Sequence, residues 1–539
     1  MAGLALAVNA ATSHAQIISE DRELLVRDGQ DIDEFGSSVA LKGSIALVGA
    51  PRDDDNGLSS GSAYLFNAAT GQELFKLLPS DGAQDDGFGR SITLSEDFAV
   101  IGAPLNQDAG FATGSVYLFD VATGDELTKL LPDDVDLGDR FGWSLGISDT
   151  TLLIGAHCDE ESGANAGSAY LFDAASQEQL SKLLASDGGP FHYFGKSAAI
   201  SGDTAIISSI GHDSGRGCAY IFDVTDPSQP VEVHKLLATD AAPGDMLGLA
   251  VAIDGDRAAA TAVGYAPGNI VTGCVYIFDV TTGAQLFKLT PPHNTTTTFG
   301  EALSIKGDQI IIGDPLSNSA GLQSGTAYIY DVNTGALLTE LQPLDVNGPS
   351  LDKVGCSVAT DGNTVLVGAE HHDHGTITSG SVYVFELEPG LTFCFGDGSG
   401  TPCPCRNSGV AGAGCVNSTG FGAVLDAAGS ISVSADTLVL EATGQSDGFG
   451  LFVQARNAIR SGDGATFGDG LRCVGGGIIR LEVRISSDGE TQTTTSIVTK
   501  GKISAGDTRR YQFLYRDHSG SPCGGRFNLT NGYELTWTP

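Results

Sequence analysis

Short apolar runs, each interrupted within about eight residues by Gly, Thr, Ser or Asp, follow one another along most of the chain. Runs such as IALVGA (45–50) and SAYLFN (62–67) are short and rich in β-branched and aromatic residues, which is typical of strands. Polar pairs such as Lys42-Gly43 and Thr70-Gly71 separate neighbouring runs, as hairpin turns do. The pattern predicts many short antiparallel strands.

The strand pattern repeats seven times. Each copy predicts four strands and starts at a Phe-Gly pair or its equivalent, and successive copies are 52 to 55 residues apart. The first residues of these pairs are Phe35, Phe88, Phe141, Phe194, Leu247, Phe299 and Val354. One four-stranded unit cannot bury both faces of its sheet, but units packed in a ring can. The fold class is therefore all-β, with a seven-bladed β-propeller predicted at residues 16–390.

The two ends of the repeat region indicate how the ring closes. Copy seven stops at FELEPG (385–390) before its fourth strand. Residues 23–27, ELLVR, match the fourth-strand phrase ELFKL and precede copy one. We expect this N-terminal strand to complete the last blade, which would leave no open sheet edge.

The phrases FG…VGAP…GSAYLF resemble the FG-GAP repeats of integrin α-subunit propellers, and more closely those of secreted bacterial FG-GAP repeat proteins. The resemblance covers residues 22–388. It implies a ligand-binding or adhesion platform rather than an enzyme. In integrins, calcium loops lie between FG and GAP. Here that interval is a tight turn such as LKGS, too short to surround a cation with oxygens, so those sites are not carried over.

The composition changes after residue 390. We expect a Cys/Gly-rich loop region at 391–420 and a small antiparallel β-sandwich at 421–539. The six cysteines of this part are Cys394, Cys403, Cys405, Cys415, Cys473 and Cys523. They predict three disulfides of open connectivity, with a zinc knuckle around CPC (403–405) as the alternative. The block FCFGDGSGTPCPC resembles a Cys-rich C-terminal module found on secreted bacterial proteins.

The formal net charge is −38 and the isoelectric point is about 4.3. A chain this acidic repels phosphate backbones and anionic lipid surfaces, so neither nucleic acid nor a membrane surface is an expected partner. Residues 1–15 resemble the end of a signal peptide, with an A-x-A-like site at Ser13-His14-Ala15. No later run reaches 18 apolar residues. We therefore expect a secreted or surface-displayed protein.

Paired aspartates precede several Phe-Gly anchors and are candidates for calcium binding, the one cofactor that the sequence suggests. Two carboxylates five residues apart, with backbone carbonyls, can hold a hard cation, but they can equally accept backbone N–H groups in turns. The pairs are Asp28/Asp33, Asp81/Asp86, Asp134/Asp139 and Asp240/Asp245. The loop DDDNG (53–57) adds Asp53 and Asp55 as candidates, with a plain solvated loop as the alternative.

Catalytic motifs are absent from the sequence, and the repeated Tyr of GSAYLF alternates with apolar residues as core positions do. His371, His372 and His374 form the densest metal-like cluster, in a loop that the repeat register places at the surface. Cys158, Cys218, Cys274 and Cys356 of the propeller are expected to be free thiols.

We expect a non-enzymatic extracellular binding protein that presents propeller loops to a protein or polysaccharide partner. A hydrolase or lyase with a site at the mouth of the channel is one alternative, and a structural matrix protein is another.

Overall fold

The computed structural model describes residues 16–539 with internal gaps. The residues left undescribed in this range are 27, 31, 265–272, 294–297, 319–322, 345–350, 373–378, 388–390, 397–400, 405–406, 410–412, 429–430, 432, 434–435, 463, 488, 505, 518–523, 525 and 538–539. The predicted signal peptide, Cys405, Cys523 and His374 therefore lie outside the described residues. Two compact units divide after Glu386.

Seven antiparallel sheets form the first unit, which confirms the predicted blades. The inner strands are Ser38–Lys42, Ser91–Leu94, Ser144–Ser148, Phe194–Ser201, Val251–Asp254, Leu303–Lys306 and Val354–Thr360. The second strands are Ile45–Ala50, Phe98–Ala103, Thr151–Ala156, Thr204–Ser209, Arg257–Ala262, Gln309–Asp314 and Thr364–Ala369. A helical turn, His212–Gly215, follows the second strand of blade four.

The outer half of each blade is built from its third and fourth strands. The third strands are Ser62–Asn67, Ser115–Asp120, Ser168–Asp173, Cys218–Asp223, Cys274–Asp279, Thr326–Asp331 and Ser381–Glu386. The fourth strands of blades one to six are Gln72–Leu77, Glu126–Leu130, Gln179–Leu183, Val231–Leu236, Gln285–Leu289 and Leu337–Leu341. The inner strands contact one another around the ring, from blade one to blade seven and back, so they surround the axial channel.

Closure of the ring follows the prediction. The strand Arg22–Leu24 pairs antiparallel with the third strand of blade seven, with Glu23 opposite Tyr383, and so supplies the missing fourth strand. Gln16–Ile18 also pairs, parallel to Leu337–Leu341 of blade six. The sequence did not predict this second pairing, because no turn or repeat phrase connects the two segments.

The phenylalanine of each Phe-Gly pair is a wedge between neighbouring blades. Phe88 is fully buried and meets Tyr117 of its own blade edge-on, with ring centroids 5.4 Å apart. It packs in the same cluster as Leu65 and Leu77 of the preceding blade. Burial of a side chain of this size stabilises the fold by about 1.5–3 kcal/mol, and the contact recurs in blades one, three, four and six.

Glycine in the GAP phrase lets neighbouring blades approach closely. A Cβ on Gly102 would lie 2.3 Å from the carbonyl oxygen of Gly142 in the next blade. The Ser91 hydroxyl donates to that same oxygen at 2.6 Å. Blade five has Ala250 in the position of this serine and Thr261 in the position of the glycine. There the Thr261 hydroxyl donates to Gly300 O at 2.6 Å. The hydrogen bond to the next blade is therefore kept, with its donor on the second strand instead of the inner strand.

The second unit contains two larger sheets and two short ribbons. The first sheet has Leu391–Phe393, Gly532–Thr536, Thr508–Arg516, Gly448–Ala455 and Ile479–Ser486 in that order, with Phe527–Leu529 also paired to Thr508–Arg516. The second sheet contains Val424–Ala428, Val439–Thr443 and Glu490–Gln492. The ribbons pair Asn457–Ala458 with Val474–Gly475 and Ala465–Phe467 with Gly470–Arg472. The helical elements are Ile459–Gly462, a 3₁₀ turn, and Ile497–Gly501.

Side chains from both larger sheets share one core, which includes Leu425 and Leu440 of one sheet and Phe452 and Tyr511 of the other. Trp537 is buried in the same core and donates from Nε1 to the Tyr511 hydroxyl at 2.9 Å. The predicted β-sandwich with disulfides is confirmed.

Two disulfides join Cys394 to Cys473 and Cys403 to Cys415. All four cysteines lie in one small buried cluster with Val453 and Leu471. The zinc-knuckle alternative is wrong for Cys403, because its sulfur is bonded to another cysteine. The four propeller cysteines are free, as expected, although only Cys218 among them is fully buried.

Loss of the longer disulfide is expected to destabilise the second unit more than loss of the shorter one. The bridged residues are 79 and 12 apart in sequence. Chain entropy predicts losses of roughly 4–5 kcal/mol for Cys394→Ala/Cys473→Ala and about 3 kcal/mol for Cys403→Ala/Cys415→Ala.

The measurement is chemical unfolding of the full chain in a Trp143→Phe background, which leaves Trp537 as the reporter of the second unit. Cys218→Ala, which removes an unpaired propeller thiol, is the control and should leave this transition unchanged. Equal losses from the two double variants would contradict the entropic explanation.

Candidate functional site at the channel mouth

Five blades contain an internal charge cluster of one Tyr, one Asp and one Lys, termed here the Tyr–Asp–Lys cluster. In blade two, the Tyr117 hydroxyl donates to Asp81 at 2.8 Å, and Lys129 Nζ donates to the same carboxylate at 2.8 Å. The ammonium also lies 5.2 Å from the centre of the tyrosine ring, a cation–π distance. The other clusters are Asp28–Tyr64–Lys76, Asp134–Tyr170–Lys182, Asp187–Tyr220–Lys235 and Asp240–Tyr276–Lys288.

The first aspartate of each candidate calcium pair thus pairs with a lysine. Hydrogen bonds from Lys288 and Tyr276 lower the pKa of Asp240. The pKa of Asp28 is also lowered, since the Lys76 hydrogen bond and charge outweigh the opposing effect of burial. The repeated tyrosines are buried, in agreement with their predicted core role.

The DDDNG loop is not a plain solvated loop. Asp53 is buried, accepts a hydrogen bond from the Tyr64 hydroxyl at 3.1 Å and pairs with Lys76 Nζ at 3.0 Å. Asp55 lies 2.6 Å from the same ammonium. Lys76 is therefore surrounded by three carboxylates, those of Asp28, Asp53 and Asp55.

The second aspartate of each pair caps its own loop. Asp33, Asp86, Asp139 and Asp245 each accept the backbone N–H of the residue three positions earlier, at 2.6 to 2.9 Å. Burial raises the pKa of Asp33 to about 6. Burial and the nearby Asp159 carboxylate raise the pKa of Asp139 to about 6 as well. These side chains hold the loop that leads into the Phe-Gly anchor.

Calcium binding at these carboxylates stays a prediction. Calcium requires six to eight oxygen ligands, whereas the first aspartates surround an ammonium group and the second ones bond to backbone. In the described part of the chain, no group of three or more His, Cys, Asp or Glu side chains is arranged to hold a metal ion. The geometry fits an internal ion pair better than a cation site.

His371 and His372 contact different groups. His372 is buried, so its predicted exposure is wrong, and it lies 3.5 Å from Asp352 and edge-on to Tyr383. The reason is its register, since it occupies the position that Asp53 has in blade one. His371 instead lies 3.5 Å from Lys353 Nζ.

A cavity of about 240 Å³ opens where the inner strands begin. Residues from five blades line it, so the cavity lies on the propeller axis, and we call it the mouth cavity. Its lining residues are Glu34, Ser37, Pro51, Arg90, Trp143, Glu301, Cys356 and Glu370. Five of them occupy one repeat position, two residues after the Phe or Val of the anchor: Ser37, Arg90, Trp143, Glu301 and Cys356.

Three cations and a second aromatic ring surround Trp143, which lines the mouth cavity together with Arg90. The Lys196 ammonium lies 4.1 Å from the indole ring centre, and the Arg90 and Arg140 guanidinium carbons lie 4.8 and 5.3 Å from it. The His157 ring is 4.4 Å from the indole, centroid to centroid. We call these five residues the cation–Trp cluster.

None of the three cations in this cluster has a carboxylate within ion-pair distance among the described residues. Burial and the charges of Arg90 and Arg140 lower the pKa of Lys196 to about 8. Burial, followed by the charge of Lys196, lowers the pKa of His157 to about 3. His157 is only 4% exposed, and its Nδ1 has no hydrogen-bond partner among the described residues.

Carboxylates line the other side of the mouth cavity, but two of them are paired. Glu34 meets Arg52 at 3.1 Å, and Glu370 meets Lys353 at 2.7 Å. Burial raises the pKa of Glu34 despite its arginine partner. The mouth cavity is therefore lined by Arg90 and Trp143 on one side, with Arg90 free of ion pairs among the described residues, and by partly neutralised carboxylates on the other.

Sequence reasoning missed both the internal lysines and the cation–Trp cluster. The lysines carried a signal, because each follows the first aspartate of its cluster by 48 residues. The cation–Trp cluster had a weaker signal in the sequence. The residue that directly follows the Phe-Gly pair is Ser, Arg, Trp and Lys in the first four copies. Only the ring closure shows that these changing residues meet at one point.

The charge pattern predicts that Asp33 and Asp139 stabilise the folded state increasingly as the pH falls from about 7.5 to about 5, whereas His157, with a folded pKa of about 3, opposes this gain below about 6.5, and that the lysine-paired aspartates lose their contribution below about 3.5. Asp33 and Asp139 have a pKa of about 6 in the folded state, against an ordinary 3.8. As the pH falls, the folded state therefore binds these protons before the unfolded state does, and both residues contribute stability as the pH falls through about 6. Asp240 and its equivalents have a lowered pKa, so their contribution is lost when they are protonated.

Melting temperatures across this pH range, measured by calorimetry, provide the check. Asp139→Asn should remove part of the rise, of order 1 kcal/mol. Asp240→Asn should weaken the decline at low pH, and an unchanged profile in both variants would contradict the assignment.

Comparison with known proteins agrees with this architecture. The FG-GAP repeat family matches seven segments, one for each copy: residues 18–66, 72–119, 125–172, 178–222, 230–278, 285–330 and 344–385. A search of curated proteins finds no match to this chain. Because the seven matched segments together cover more than half of its length, the chain belongs to the FG-GAP repeat family.

Proposed function

We propose that this protein is a non-enzymatic extracellular binding protein whose propeller holds its partner, a protein or a polysaccharide, at the mouth cavity. The observation that carries the proposal is the composition of the mouth. Most repeated polar positions serve packing or internal ion pairs, whereas the mouth position differs in almost every blade. Residues that the architecture does not require are available for recognition.

The disulfides and the net charge support the proposed extracellular location and partner. Disulfides persist in oxidising, extracellular surroundings, and two of them stabilise the second unit. No helix in the described part of the chain is long and apolar enough to cross a membrane. The net charge of −38 disfavours nucleic acid as a partner.

One observation favours a hydrolase or lyase as the second candidate. Glu34, Glu301 and Glu370 share the mouth cavity with Arg90, and a cavity with a few convergent polar groups is the usual place for an active site. The same experiment must therefore measure turnover as well as binding.

The test of the proposal uses the immobilised full chain and a panel of soluble polysaccharides and extracellular matrix proteins. Binding of one panel member should fall at least about tenfold in Trp143→Ala, because a central aromatic anchor is lost. Lys42→Ala is the matched control. Lys42 ends the inner strand whose beginning lies at the mouth, and it has no ion-pair partner among the described residues.

Each other outcome has a defined meaning. New reducing ends or peptide fragments in the bound sample would favour the enzyme. Self-association of the chain at micromolar concentration, without any bound panel member, would favour a matrix protein. Binding that Trp143→Ala leaves unchanged would contradict the mouth cavity as the contact site. The melting temperature of each variant shows whether it is folded.

Calcium dependence is tested separately by melting the full chain in EDTA and in millimolar calcium. Because lysines already neutralise the first aspartates, we expect a shift of less than about 2 °C. A rise of several degrees, abolished in Asp53→Asn, would contradict this expectation and establish calcium binding at the loop of blade one.

A further inference from the structure

The cation–Trp cluster is unusual for its setting. The propeller part of the chain contains only sixteen Lys and Arg residues, and most of those described are paired with carboxylates. Three of the exceptions, Arg90, Arg140 and Lys196, converge on one indole ring from three neighbouring blades. In a protein of net charge −38, such a concentration of positive charge is the opposite of the overall bias.

This convergence costs free energy in the empty protein. The lowered pKa of Lys196 reports burial and the repulsion of its two neighbours. Contact with the indole face offsets part of this cost. His157 adds, beside the same ring, a buried nitrogen that no group in the described part of the chain hydrogen-bonds. An unfavourable, unneutralised cluster at a cavity is typical of a binding site.

We propose that the mouth cavity binds an acidic saccharide, with the sugar's single carboxylate bonded by Arg90, which lines the cavity, and attracted by the charges of Arg140 and Lys196 around the same indole ring. This inference rests on the proposed function and specifies its ligand class. Guanidinium groups bind carboxylates through paired N–H donors, and Arg90 lines the cavity with no ion-pair partner among the described residues. The carboxylates on the opposite side, Glu301 and Glu370, can accept hydrogen bonds from sugar hydroxyls.

The overall negative charge of the protein restricts the class of acidic saccharide further. Long polyanions are repelled by the acidic propeller surface, so a carboxylate at the end of a chain, or one isolated along it, fits better than a dense polyanion. A polar lining with few apolar side chains also favours a hydroxyl-rich ligand over an apolar peptide segment.

Trp143 reports on its own site. The chain has only two Trp residues, and the other, Trp537, is buried in the second unit and hydrogen-bonded to Tyr511. Iodide should quench Trp143 more strongly than caesium does, despite the net negative charge, because the three cations concentrate anions beside the ring. The Trp143→Phe variant supplies the signal of Trp537 alone.

The decisive experiment is a titration of the full chain with D-glucuronate, followed by Trp143 fluorescence and by protection from iodide. Glucose, sulfate and an N-acetylated dipeptide with a free carboxylate are titrated in parallel. We expect saturable protection by glucuronate, no effect of glucose, and weaker responses to sulfate and the peptide. Arg90→Gln and Lys196→Gln should each weaken glucuronate binding by about tenfold or more, while Lys42→Gln should not.

Three results would overturn the proposal. The first is the absence of saturable protection by glucuronate, and the second is protection that both Arg90→Gln and Lys196→Gln retain. The third is an equal or stronger response to the peptide carboxylate, which would assign the site to a protein ligand. The glucuronate titration does not depend on the panel of polysaccharides and matrix proteins. It can therefore show no binding of glucuronate while the panel still shows weaker binding by Trp143→Ala. In that case the proposed function stands and only the saccharide assignment falls.

Discussion

The contact between neighbouring blades is the constraint on which the rest of the structure depends. A single four-stranded blade has two apolar faces, and each is covered only by the next blade in the ring. Phe88 and its equivalents fill this boundary, and Gly102 and its equivalents bring the backbones together. Because every boundary poses the same packing problem, the sequence repeats the same short phrases. The strand Arg22–Leu24 then pairs with the third strand of blade seven, which would otherwise be an open sheet edge.

The acidic charge of the propeller has two distinct parts. Many carboxylates are exposed and keep the protein soluble, but a repeated set is used inside each blade. The Tyr–Asp–Lys clusters connect the loop before a blade to its third and fourth strands, and the loop-capping aspartates, such as Asp139, hold that loop itself. A buried carboxylate is tolerated there because an ammonium or backbone N–H groups compensate its charge. These residues are architectural, although their spacing resembles that of ligands.

Function in such a ring depends on the positions that break the repeat. The axis is the one place where residues from most blades meet, so a repeat position that differs between blades produces an asymmetric site there. Trp143 and Arg90 line one side of this cavity, and Glu301 and Glu370 line the other. A symmetric scaffold thereby presents a polar, two-sided cavity.

The sequence by itself determined the fold class, the number of blades and the closing strand, because each follows from a local phrase repeated in register. It also placed the Cys-rich second unit, although not the pairing of Cys394 with Cys473, which depends on the fold. Tertiary structure alone decided which charges meet. Asp81 and Lys129 lie 48 residues apart, and Arg90, Trp143 and Lys196 belong to three blades. Local sequence could not show these meetings, since electrostatic contacts depend on distance in space and the ring determines that distance.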